Sequence, residues 1–227
     1  MESLTQKFIS FGPSCIAAEI LKACNMREKT YGFDWFRSGN IHHRLFFKLE
    51  NESFVSNIVM RPSIYFKQEG RLADTKNRTI ELKQHKILYG YDILYSPHRE
   101  YNKEAENYFR RAFNRIDMRL KCNEKMSEPI LLMADYMNKK YYTYFKCPFK
   151  SAKYLMYNAL LKYGYMPKVV VIRFVIVGED TWAKANIELE ESNNIKVYKI
   201  PISDRVDECE KQRRIFYSSI SEYLVNL

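Results

Sequence analysis

No stretch of this 227-residue chain comes near the run of about 18 to 20 apolar residues that a membrane-spanning helix needs. The first seven residues, Met1 to Lys7, also lack the basic start and the apolar core of a secretory signal peptide. Both absences count against a membrane-spanning or secreted protein. We therefore expect a soluble protein located in the cytoplasm.

Paired cysteines are also missing. The five cysteines are scattered, no CxxC pair occurs, and no histidine or cysteine stands at the spacing of a zinc site. This pattern excludes a disulfide framework and a structural zinc site, so we expect free thiols, no bound metal and no cofactor. The cysteines are Cys15, Cys24, Cys122, Cys147 and Cys209.

The sequence has few signals for nucleotide or nucleic-acid binding. The phosphate-binding fingerprint GxGxxG is absent, as are a recognition helix and an RNP-like motif. The formal net charge is +10, but the Lys and Arg residues are interspersed with Asp and Glu. We therefore expect the basic residues to form a solvated surface, and nucleic-acid binding is the less favoured interpretation.

What is present is an even spread of apolar residues, 46% of the chain, without repeats or an evident linker. This is enough for one full core, so we predict one domain over residues 1–227. Apolar strand segments alternate with amphipathic helices in the second half, which is typical of a mostly parallel sheet with helices on both faces. The predicted fold is a three-layer, Rossmann-like α/β domain with a small irregular or β insertion around residues 60–96.

Hydrophobic periodicity gives approximate bounds for the main elements. Strands are predicted over residues 7–11, 130–133, 168–177 and 195–200, with Asp135 just beyond the second strand. Helices are predicted over residues 15–24, 40–50, 105–120, 151–162, 179–191 and 205–224.

Cys15 stands where the first strand passes into the first helix. Ligands of parallel sheets gather at the carboxyl ends of the strands. The amides and dipole of a helix N-terminus favour the thiolate form of a cysteine and can stabilise an oxyanion. The position suits a nucleophile, although free cysteines more often serve as small apolar core residues.

A nucleophilic thiol needs a base, and the chain has only four histidines. His42 and His43 fall in an amphipathic helix and are expected at the surface or in a groove. His85 lies in a lysine-rich turn and is expected to be solvated. His98 follows Pro97 at the junction between a β-prone segment and the long helix, and is the best candidate partner for Cys15.

Further candidates are an acid and an arginine pair. Asp34 lies among aromatic residues, where a carboxylate needs a partner, and is the preferred group to orient the imidazole; the alternative is that it caps the following turn. Asp92 and Asp135 are weaker candidates. One of Arg110 and Arg111 could face inward and bind a substrate carboxylate or phosphate, although such a pair is more often solvated.

The opening of the chain resembles that of a bacterial and viral family of papain-like cysteine peptidases, whose members carry a strand ending in Ser-Leu-Gly-x-x-Cys, a Leu-Arg segment and a Phe-Asp-Trp signature. Here Ser10 to Cys15, Met26-Arg27 and Phe33-Asp34-Trp35 match in order and spacing. Pro97-His98 and Arg110-Arg111 match the family's later Pro-His motif and its paired arginines.

The resemblance implies a site built from Cys15, His98 and Asp34, and we expect Ser14, Trp35, Arg110 and Arg111 to bind the substrate. This sequence departs from the family at Phe11 and Met26, where the family has leucine, and at Arg99, where it often has aspartate. The alternation of strands and helices also suits a Rossmann-like sheet better than a papain fold.

The leading hypothesis is a thiol-dependent hydrolase, cysteine peptidase-like, or an acyl transferase, acting on a peptide, a small acyl compound or a glycan. Cys15 would attack a carbonyl, His98 would act as base and then acid, and amides near Ser14 would stabilise the oxyanion. One alternative uses Ser10 or Ser14 as nucleophile, although related hydrolases take their histidine from near the C-terminus and none follows His98 here. The other is a non-catalytic module that binds a nucleotide, a sugar or an anionic glycan at the helix N-terminus.

Overall fold

The computed structural model describes residues 7–12, 15–27, 29–35, 38, 40–59, 103–122, 128–137, 147–178, 186–203, 217–218 and 220–225. Its strands are β1 (Phe8–Ser10), β2 (Ile130–Met137), β3 (Lys168–Val177), β4 (Glu188–Ser192) and β5 (Ile195–Ser203). Its α-helices are α1 (Ile16–Ala23), α2 (Asn40–Lys48), α3 (Asn51–Phe54), α4 (Lys103–Lys121), α5 (Pro148–Tyr163) and α6 (Ser221–Val225). A 3-10 turn covers Gly32–Trp35, and a π-type turn, Val55–Val59, follows α3.

The strands form one sheet in the order β1-β2-β3-β5-β4. Strands β1, β2, β3 and β5 are parallel, and β4 pairs antiparallel with β5. The carboxyl ends of the four parallel strands therefore lie along the same edge of the sheet, which is where ligands of open parallel sheets bind. The mixed α/β class with a mostly parallel sheet is confirmed.

Alternate residues of the parallel strands point to opposite faces, and each face carries its own apolar cluster. Ile9 of β1 and Leu131 of β2 belong to the cluster that α2, α3, α4 and α5 cover. Phe8 and Ile130 belong to the other cluster, to which α1 and α6 contribute. Both faces are apolar because both are buried, which explains why β3 is a nearly continuous apolar run.

The prediction of a helix over residues 179–191 is wrong for the described part of this range. Glu188–Ser192 is a strand, joined to β5 by a two-residue turn in which Asn193 has a φ of 44°. Asparagine tolerates this left-handed conformation, which tight hairpins require. The glutamates misled the prediction because an exposed edge strand has no buried face, so its sequence lacks apolar alternation.

Strand β2 is longer than predicted, and Asp135 lies inside it instead of beyond it. The Asp135 carboxylate accepts two hydrogen bonds from the Arg173 guanidinium on β3, at 3.1 Å from Nε and 2.8 Å from Nη2. Both side chains are buried, so the pair joins the two central strands inside the core. The sequence interrupts the apolar run at Asp135, which is why it looked like the end of the strand.

Two predictions fall mainly on residues outside the described part of the chain: the insertion around residues 60–96 and most of the helix over residues 205–224. Among the described residues, no helix combines the length and the apolar character needed to cross a membrane.

Candidate active site

Cys15 immediately precedes the first residue of α1, at the carboxyl end of β1, as predicted. The turn between the two elements begins at Gly12, whose carbonyl accepts a hydrogen bond of 3.1 Å from the Ala134 amide of β2. Gly12 has a φ of 78°, a conformation that glycine adopts readily and other residues rarely do. The Cys15 side chain is half-buried, and its carbonyl accepts a hydrogen bond of 2.9 Å from the Glu19 amide in the first turn of α1.

A serine and a histidine pack directly against this turn. Ser38 Oγ and His43 Nε2 are 3.0 Å apart, and both residues are almost fully buried. A Cβ atom at Gly12 would collide with Ser38 Oγ and would lie 3.3 Å from His43 Nε2. The left-handed backbone and this close approach both require glycine at the end of β1.

The expectation that His42 and His43 lie at the surface or in a groove is wrong, because both are buried. The His43 ring lies 5.0 Å from the Phe11 ring and 4.9 Å from the Phe33 ring, in edge-on contacts. Burial, together with the charge of His42, lowers the pKa of His43 to about 3. His43 is therefore a neutral imidazole at pH 7 that can exchange a hydrogen bond with Ser38.

Asp34 is fully buried in the 3-10 turn, and the predicted need for a partner is met by Arg27. Its Oδ2 accepts hydrogen bonds of 2.6 Å from Arg27 Nη2 and 3.0 Å from the Tyr31 amide. Burial raises the pKa of Asp34 to about 6, although Arg27 and the Tyr31 amide oppose the rise. The carboxyl group both pairs with an arginine and closes its own turn by accepting a hydrogen bond from the amide of Tyr31, which precedes it in the chain.

Ser10, the last residue of β1, lies next to Asp34. Its hydroxyl contributes to lowering the pKa of that carboxyl group, yet neither Ser10 Oγ nor Asp34 Oδ1 makes a hydrogen bond of ordinary geometry with the described residues. Two largely buried polar groups therefore lie near the end of β1: Ser10 with Asp34 and Arg27, and Ser38 with His43.

The 3-10 turn is held in place by α4. A Cβ atom at Gly32 would overlap the Phe113 ring, so only glycine lets the turn approach the helix this closely. The Phe33 ring lies 5.0 Å from the Phe113 ring and also contacts the Phe11 ring at 4.7 Å. This aromatic packing positions Asp34 beside β1.

Several predicted site residues cannot be placed. His98, Asp92 and Ser14 lie outside the described residues, and only the backbone of Trp35 is described, at the end of the 3-10 turn. Asp135, the other of the two weaker acid candidates, is bound to Arg173 in the core.

Of the arginine pair, Arg110 is half-buried and Arg111 is exposed. The Arg110 guanidinium is held by Glu106 at 2.6 Å, Glu52 at 2.9 Å and Ser56 at 3.1 Å. These contacts join α4 to α3 and to the turn that follows α3, so Arg110 has a structural role.

The remaining described cysteines are free thiols, as expected. Cys24 Sγ lies 3.2 Å from the Tyr217 carbonyl, which accepts its hydrogen bond, and burial raises the pKa of this thiol to about 11. Cys122 and Cys147 are exposed. Among the described residues, no group of three His, Cys, Asp or Glu side chains could hold a metal ion.

Sequence reasoning missed Ser38 and His43 as members of this site. The available signal was spacing: His42 and His43 each precede a phenylalanine by four residues, which places them on the buried side of α2. Ser38 carried no signal, because its contact with Gly12 arises only from the tertiary packing.

Comparison of the chain with protein-family models, with curated proteins and with solved structures finds no match. The resemblance to papain-like cysteine peptidases therefore stays a prediction from the motifs.

Proposed function

We propose that this protein is a thiol-dependent hydrolase or acyl transferase with Cys15 as the nucleophile. One observation carries the proposal: Cys15 immediately precedes α1, a short turn after the end of β1, at the carboxyl edge of a parallel sheet. A half-buried thiol in this place is accessible and lies at the positive end of the α1 dipole.

In the proposed reaction the Cys15 thiolate attacks the carbonyl carbon of the substrate. A C–S bond forms, and the carbonyl electron pair moves to the oxygen, whose negative charge the amides in the first turn of α1 stabilise. Collapse of this intermediate expels the leaving group. The leaving group takes the proton that the general base had removed from the Cys15 thiol. Attack by water then gives hydrolysis, and attack by another nucleophile gives acyl transfer.

His98 is the proposed base, on the strength of the Pro97-His98 motif. The described histidine near Gly12, His43, suits a different role: its buried, neutral ring is bound to Ser38 and packed between phenylalanines. We assign His43 and Ser38 as positioning residues that fix the turn before Cys15. Asp34, with Arg27, fixes the 3-10 turn, whose Phe33 ring packs against His43.

For the fold, we propose a three-layer, Rossmann-like arrangement. Its support is that helices contribute to apolar clusters on both faces of the sheet. Among the described strands the parallel order runs β1, β2, β3, β5 without the reversal that a doubly wound sheet contains. The proposal therefore requires a further strand on the free side of β1.

Competitive labelling tests the nucleophile directly. With less than one equivalent of iodoacetamide at pH 7, we expect Cys15 to be alkylated before Cys122 and Cys147, as read by peptide mass spectrometry. Exposure alone favours Cys122 and Cys147, because both are exposed whereas Cys15 is half-buried. Faster labelling of Cys15 would therefore report thiolate character and not access.

The Cys15→Ser variant is the control, and it should retain the slow labelling of Cys122 and Cys147. If Cys122 or Cys147 reacts first in the wild-type protein, Cys15 is a packing residue and the proposal fails.

A further inference from the structure

A concave groove of about 370 Å³ lies between α2 and α5, formed by residues that no part of the proposed reaction uses. Arg44 of α2 forms one wall. The α5 residues of the other wall recur every three or four positions, so they form one stripe along the helix. They are Lys150, Lys153, Tyr154, Tyr157 and Asn158.

The groove is cationic. Of the six described residues that line it, three are Arg or Lys and none is acidic. Within the described part of the chain, Arg44, Lys150 and Lys153 form no ion pair, whereas Lys162 of the same helix binds Asp117 at 3.5 Å. Helix α5 also has no acidic residue in its first turn, where one would be favourable. The positive charge is therefore not neutralised within the described fold.

The groove also presents two aromatic rings. The residues Tyr154 and Tyr157 are 48% and 56% exposed, on a helix whose opposite side is packed in the core. Among the described residues, neither ring stacks on another aromatic side chain. Exposed rings beside cations form the combination that binds a phosphate backbone and stacks on its bases.

The sequence favours a solvated basic surface, but because the fold places these cations beside exposed tyrosines, we propose that the groove between α2 and α5 binds single-stranded nucleic acid. Arg44, Lys150 and Lys153 would contact phosphates, and Tyr154 and Tyr157 would stack on bases that are not paired. A duplex keeps its bases inside, so it could use the cations but not the rings. An anionic glycan would use the same cations and would pack its sugar rings on the tyrosines, so a comparison with heparin separates the two ligands.

Fluorescence anisotropy with a labelled 12-nucleotide single-stranded homopolymer tests this proposal. Three phosphate contacts predict that log Kobs falls with log salt with a slope of about −2. In K150E/K153E, binding should weaken by at least about tenfold, and the slope should become shallower by about 1.4. Tyr157→Ala should weaken binding by about fivefold or more with an unchanged slope, because stacking releases no counterions.

A matched control is K22E/K29E, which makes the same change in net charge at exposed lysines that do not line the groove. It should retain most of the binding. The glutamates of K150E/K153E lie in the first turns of α5, where they favour the helix, so a folded variant is expected and circular dichroism checks it.

Three results would overturn the proposal. They are no binding of the homopolymer, equal weakening by the two double variants, and equal affinity for duplex DNA or heparin, which would show a general polyanion surface.

Discussion

Gly12 is constrained both by its backbone conformation and by the packing of Ser38 against it. Its positive φ and the nearby Ser38 Oγ are separate constraints, and the chain offers a way to measure them separately. Gly164 has almost the same φ, 81°, but a Cβ atom added there would meet nothing within 4 Å.

We therefore expect Gly12→Ala to lower the free energy of unfolding by about 1 kcal/mol or more beyond the loss caused by Gly164→Ala. The control variant carries only the cost of left-handed backbone, about 1 to 2 kcal/mol. Urea denaturation measures both variants. Equal losses would show that Ser38 does not crowd Gly12 in the folded protein.

The buried imidazole of His43 gives the site a dependence on pH. Its pKa is about 3 in the folded protein and near the ordinary 6.5 in the unfolded chain. Between these values the unfolded chain binds more protons, so this residue makes the folded protein less stable as the pH falls. The slope for one proton is about 1.4 kcal/mol per pH unit.

Asp34 acts in the opposite direction. Its pKa is about 6 when folded and 3.8 in the unfolded chain, so its contribution to stability falls as the pH rises through this window. The two effects largely cancel between pH 4 and 6 in the wild-type protein.

We predict that His43→Gln removes the His43 slope, so the stability advantage of the wild type over the variant shrinks steadily from pH 6.5 to 4.5. Ser38→Ala is the control, because it removes the hydrogen-bond partner but keeps the imidazole, and it should retain the slope. A constant difference between the wild type and His43→Gln across this range would contradict the burial of His43. Urea unfolding at each pH gives the values.

At the scale of elements, the pair between Asp135 and Arg173 joins β2 to β3. The two side chains are 0% and 5% exposed, so removing one charge leaves the other buried without its partner. We expect Asp135→Asn to lower the free energy of unfolding by about 3 kcal/mol or more. The exposed pair between Glu188 and Lys199 on β4 and β5 gives the matched control: Glu188→Gln should cost less than about 1 kcal/mol.

Replacing both partners, as in D135L/R173L, should restore part of the loss, because an apolar pair needs no charge compensation. Thermal and urea unfolding would report these values. A loss from Asp135→Asn as small as that from Glu188→Gln would show that Asp135 is solvated.

Elements with a buried face could be predicted from sequence, and those without one could not. The bounds of β3 follow from its apolar run, and those of α2 and α5 lie within a few residues of the prediction. Strand β4 was missed because its five residues are all exposed, so only pairing with β5 makes it a strand. Asp135 was misplaced because its partner, Arg173, is 38 residues away in the chain.

The candidate site lies at the carboxyl edge of the sheet, where several elements of the molecule meet. The sequence predicts the position of Cys15 correctly, because a strand, a glycine and a helix follow one another within a few residues. It predicts that Asp34 needs a partner but does not identify Arg27. It does not predict the contact of Ser38 and His43 with Gly12, because that contact depends on how α2 packs against the sheet.

The central claim is that a histidine activates Cys15. The most direct test compares the rate of Cys15 alkylation at pH 7 in the wild-type protein and in His98→Ala, with the rate at Cys122 as the internal standard. We predict that the ratio of the two rates falls by at least about tenfold in His98→Ala, because the thiolate loses the base that stabilises it. An unchanged ratio would contradict the account.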